Sequence, residues 1–98
     1  MSSLNLYFLP SFERSLKNFD PEQRNIVKLI LNSLLVYFSS HCDLAEAQKI
    51  APRFFYKQLR KPFYEAGVEG KIRIVIRRDK SNCFAMIAGN HDQVRRFL

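Results

Sequence analysis

The stretch KIRIVIRRD, residues 71–79, decides the fold. Read as a strand, it places Ile72, Ile74 and Ile76 on one face and Arg73, Val75 and Arg77 on the other. An isoleucine face needs a hydrophobic cover. The opposite face carries guanidinium groups, so the sheet is expected to be packed on one side and charged on the other.

Working outward, FYEAG (residues 63–67) precedes this strand, and Gly67 to Gly70 allow a turn between them, which makes a hairpin. Upstream, FFYKQL (54–59) reads either as one long strand with FYEAG, interrupted at Lys61 and Pro62, or as a strand followed by a loop. Downstream, Lys80, Ser81 and Asn82 connect to CFAMIAG (83–89), whose apolar character suits an inner strand. NHDQVRRFL then closes with a short helix capped by Asn90 or Asp92.

The first half is helical. LNLYF (4–8) is a short strand ended by Pro10, and Ser11 is positioned to cap a helix reaching Phe19, with Phe12, Leu16 and Phe19 at helical spacing. Asp20, Pro21 and Gln23 form a capping-box start for a long helix. Its stripe of Ile26, Val27, Ile30, Leu31, Leu34, Leu35 and Phe38 faces a core, and it ends near Ser40. Asp43 with Glu46 at N3 suggests a further turn or two before Pro52. The order predicts an α+β fold: an N-terminal strand and two helices packed on one face of a small, mainly antiparallel sheet, in a single domain spanning 1–98.

The charge is uneven. Residues 1–48 hold four bases and five acids, whereas 49–98 hold twelve bases and four acids, so the +7 of the chain sits in its second half. Such an asymmetry points to a polyanionic partner. Cys42 and Cys83 form no metal-ligand spacing with His41 and His91, so no structural metal is expected. Two cysteines without a secretory signal or a long apolar run fit buried free thiols in a soluble, cytoplasmic protein with no membrane partner.

FLPSFERSLKNF, DPEQRNIV, FYEAGVEGKIRIVIRRD and MIAGNHDQVRRFL together resemble the RelE/ParE superfamily of toxins from type II toxin–antitoxin systems, over nearly the whole chain. The RelE branch implies a ribosome-dependent mRNA endonuclease that halts translation, with a cognate antitoxin, the ribosome and mRNA as partners and no cofactor. The ParE branch implies a non-enzymatic inhibitor of DNA gyrase. By position, the resemblance assigns Arg73 to the family's phosphate-contacting arginine, Glu65 to the glutamate of a Tyr-Glu-Leu-Arg element, and His91 to a C-terminal Arg or His. The chain departs from the pattern in three places: Gly67 stands for that element's arginine, Tyr64 and Ala66 for lysines of some members, and Arg95, Arg96 and Phe97 end the chain without a tyrosine. An inactive RNA-binding relative is therefore a third reading.

Cleavage by 2′-hydroxyl attack needs a base, an acid and cationic donors for the phosphate. Glu65 and His91 supply the first two, and Arg73 with Arg77 or Arg78 can hold the phosphate bidentately. Lys57, Arg60, Lys61, Lys71, Arg95 and Arg96 extend the basic surface, with Tyr64 as the aromatic best placed to stack on a base. Each has a structural alternative. His91 could simply bond Asp92, Glu65 could be a solvated carboxylate paired with Lys71 or Arg73, Arg73 could serve only that ion pair, and the outer cations could be no more than a solvated face.

Overall fold

A computed structural model describes residues 5–68 and 71–98. The chain folds in the order β1 (Asn5–Phe8), α1 (Pro10–Ser15), α2 (Pro21–Ser39), α3 (Leu44–Gln48), β2 (Phe55–Arg60), β3 (Phe63–Gly67), β4 (Arg73–Asp79), β5 (Asn82–Gly89) and α4 (His91–Phe97). The strands make one sheet ordered β1-β5-β4-β3-β2, antiparallel throughout except where β1 pairs parallel with β5. Leu4 and the residues 69–70 of the expected turn lie outside the described residues.

The isoleucine reading of β4 holds. Ile72, Ile74 and Ile76 join Val27, Ile30, Leu34 and Phe38 of α2, Phe12 of α1 and Phe54 in one buried cluster between helices and sheet. Asp20 accepts from the Gln23 amide while the Gln23 side chain accepts from the Asp20 amide, so the capping box at the start of α2 is complete. Asn90 and Gln93 repeat the device at α4, which settles Asn90 over Asp92 as the cap. At α3, Asp43 accepts from the Ala45 and Glu46 amides.

Three local expectations are corrected. The FFYKQL and FYEAG segments are neither one strand nor a strand and a loop: β2 and β3 are antiparallel neighbours that turn at the Lys61–Pro62 bond, which is cis. Helix α1 stops at Ser15, short of Phe19, and its N-cap is Leu9, with no side-chain cap. Ser11 is engaged elsewhere, because β1 ends at Phe8 and leaves the far half of β5 as an open edge. There the Ser11 hydroxyl donates to the Met86 carbonyl, and the Ser15 hydroxyl accepts from the Ala88 amide, so α1 completes the edge that β1 abandons. Met86 sits at a bulge, since Ile76 pairs with Ala85 and Val75 with Ile87.

Helix α4 lies on the other side of the sheet from α1 and α2. Its first residue meets Arg73, and Leu98 beyond its last borders a shallow pocket with Arg60 and Phe63. Val94 of α4 and Val75 of β4 are both buried and stand apart from the helix-side cluster.

Candidate functional site

Strand parity sorts the site. Register pairs Glu65 with both Lys57 and Val75, Gly67 with both Phe55 and Arg73, and Phe63 with Arg77, so all of these project from the face that α4 only partly covers. Glu65 is 2% exposed; its Oε1 forms an ion pair with Lys57 Nζ at 3.1 Å and accepts a hydrogen bond from Arg73 Nη1 at 3.2 Å. The same Nη1 lies 2.9 Å from His91 Nδ1. A guanidinium can only donate, so this Nδ1 is the acceptor and the neutral ring carries its proton on Nε2. Arg73 therefore ties together the two other residues assigned to catalysis, and His91 stays exposed at the helix start.

The structural alternative for Glu65 holds in its pairing with Arg73 but not in its solvation, and that for His91 is not met. The carboxylate is enclosed, and Lys57, not Lys71, is its second cation. His91 bonds Arg73 across 18 positions of sequence.

Gly67, which the resemblance set against an arginine, has little room for a side chain. A Cβ there would lie 2.7 Å from the Phe55 ring, and that ring sits beneath the Arg73 guanidinium at 5.7 Å. Phe55 thus fills the space that a side chain at 67 would need.

The other assigned residues divide. Arg77 and Arg60 are exposed on the Arg73 face further along the sheet, and Lys61 is exposed at the β2–β3 turn. Lys71 is exposed ahead of β4, beside the start of α2, and Arg95 and Arg96 are exposed on α4. Tyr64 and Arg78 are not brought to the site. Tyr64 pairs with Ile76 and stacks on Tyr56 at 5.2 Å, with Arg78 over its ring at 5.7 Å, on the helix side of the sheet. Even-numbered positions of β4 face the helices, which is why Arg78 parts from Arg77.

This helix-side corner is a second polar cluster. Burial pushes the Tyr56 hydroxyl well above the ordinary tyrosine range, and the Arg78 charge works against the shift without reaching hydrogen-bonding geometry. Burial likewise raises the Tyr37 hydroxyl, which Cys42 raises further, and the Cys83 thiol. Both cysteines are free, but only Cys83 is buried; Cys42 is exposed, contrary to expectation. It follows His41 in a left-handed pair, with φ 61° and 59°, past the end of α2.

The topology and the Glu65–Arg73–His91 cluster define a small α+β protein with a basic, partly covered sheet face. No protein-family model matches the chain, and no curated protein matches it in sequence. Solved structures do. A chain of the RelB–RelE antitoxin–toxin complex from Methanococcus jannaschii is 16% identical with a TM-score of 0.63, covering 94% of this chain and 98% of that one. A chain of the DinJ–YafQ toxin–antitoxin complex from Escherichia coli is 10% identical with a TM-score of 0.66, covering 94% and 97%. A copper-bound mutant toxin from Helicobacter pylori is 20% identical with a TM-score of 0.61, covering 93% and 98%. The chain has the RelE-like toxin fold.

Proposed function

We propose that this protein is the toxin of a type II toxin–antitoxin pair and cleaves mRNA on the ribosome, in the cytoplasm, without metal or cofactor. The observation that carries the reading is the single guanidinium of Arg73 bound at once to Glu65 and His91. Two of the structural neighbours were solved as complexes with antitoxins, which supports an antitoxin partner here. Exposed Leu29 and Leu35 on α2, with Leu44 and Ile50 nearby in sequence, offer apolar surface for it. No helix among the described residues is long and apolar enough to cross a membrane.

In this reading Arg73 and Lys57 hold the scissile phosphate. The ammonium of Lys57, 58% exposed, is able to swing from Glu65 to the phosphate. His91, neutral and exposed, moves the proton of the attacking 2′-hydroxyl or of the leaving oxygen. Glu65 was expected to be the base; its enclosure suits it better to fixing the two cations, with base action open to it once Lys57 has left.

Induced expression with mapping of mRNA ends tests this. The intact chain should halt translation and cut ribosome-bound mRNA, whereas Arg73→Ala and His91→Ala should each lower cleavage by about 10²–10⁴-fold. Toxicity that survives both substitutions would instead favour a protein-target inhibitor of the gyrase-directed kind. Harmless expression of the intact chain would favour an inactive relative.

A further inference from the structure

One row of the sheet was not anticipated from the sequence. Register aligns Tyr7 of β1 with Phe84 of β5, Phe84 with Arg77 of β4, Arg77 with Phe63 of β3, and Phe63 with Arg60 of β2. The row crosses all five strands on the face that carries Arg73. Tyr7 and Phe84 are stacked, with ring centroids 5.5 Å apart and planes at 24°, and the Arg77 guanidinium lies over Phe84 at 5.7 Å.

Cross-strand aromatic pairs also stabilise sheets, so the row needs a reason to be more than packing. Two observations supply it. Tyr7 is 47% exposed and Arg77 is exposed, so one ring and the cation remain open to a ligand. Arg77 also pairs with no carboxylate among the described residues; its partner is an aromatic face. An unpaired cation between partly open rings matches flat, π-faced groups on an anionic chain.

We propose that Tyr7, Phe84, Arg77 and Phe63 form a stacking track for unpaired bases of single-stranded RNA. The proposal rests on the reading of Arg73 as phosphate holder. Along β4, Arg77 stands four residues from Arg73, about 13 Å. The track thus receives bases a few nucleotides from the held phosphate, and it works through their faces, which all four bases share. It gives the site a grip on bases that cations alone lack.

The chain has no tryptophan, so Tyr7→Trp is a clean reporter. The variant is titrated at about 0.05 M salt with decaadenylate RNA and with an abasic ribose-phosphate decamer of equal length. Expected is quenching of the indole emission by decaadenylate and none by the abasic strand. Tyr7→Ala should weaken decaadenylate binding about five- to a hundredfold, Tyr7→Phe should preserve it, and neither should alter abasic binding. Equal affinity for the two strands, with no quenching, would overturn the stacking track while leaving the phosphate reading intact. Failure to bind either strand would remove both.

Discussion

Arg73 serves a buried carboxylate and an exposed imidazole with one nitrogen, and this gives it a structural duty separate from catalysis. Removing it leaves Glu65 enclosed with Lys57 alone, and an under-paired buried charge is expensive. Arg73→Ala is therefore expected to lower stability by about 2–3 kcal/mol in urea denaturation. In a Glu65→Gln background the same substitution should cost less than about 1 kcal/mol, because no buried charge is left behind. Equal losses in the two backgrounds would show that the pair contributes nothing beyond the separate side chains. Gly67 is coupled to the same group through Phe55. Gly67→Ala should cost about 1–3 kcal/mol, with the Phe55 ring displaced from Arg73, as a crystal structure of the variant would reveal.

At the scale of elements, the least obvious dependence is that of β5 on α1. The Ser15 hydroxyl donates to the Phe12 carbonyl and accepts the Ala88 amide, which is otherwise a buried edge donor. Ser15→Ala should therefore destabilise the fold by about 1–3 kcal/mol and speed hydrogen exchange at Ala88, an effect that a purely helical role for Ser15 would not produce. Asp20→Ala, by contrast, removes one half of a capping box and should cost about 1 kcal/mol without changing exchange in β5.

For the whole molecule, the two sides of the sheet respond to different solution variables. The helix side hides the Tyr37 and Tyr56 hydroxyls and the Cys83 thiol, all raised chiefly by burial. Unfolded, these groups lose protons near their ordinary values, 9.0 for the thiol and 10.0 for tyrosine. Above about pH 9 the unfolded chain consequently binds fewer protons than the native one. Stability that is fully present below that point falls as pH rises past it, and a Tm unchanged from pH 8 to 10.5 would refute the arrangement. The other side should respond to salt. If Lys57, Arg73 and Arg77 engage phosphates of single-stranded RNA, the slope of log affinity against log salt should be about −2, and Arg77→Ala should reduce it by about 0.7.

The sequence by itself determined the layers. The isoleucine alternation of KIRIVIRRD and the stripe of residues 26–38 are local periodicities, and a capping box needs only four consecutive positions, so all were legible without coordinates. The tertiary structure alone decided which cations share a site. That depends on strand order, on a bulge at Met86 and on the side of the sheet to which α4 returns, none of which leaves a short-range signal. Neighbouring Arg77 and Arg78 part to opposite faces, Tyr64 turns toward the helices, and Tyr7 reaches Arg77 through Phe84, because side-chain direction in a sheet follows pairing register rather than proximity in sequence.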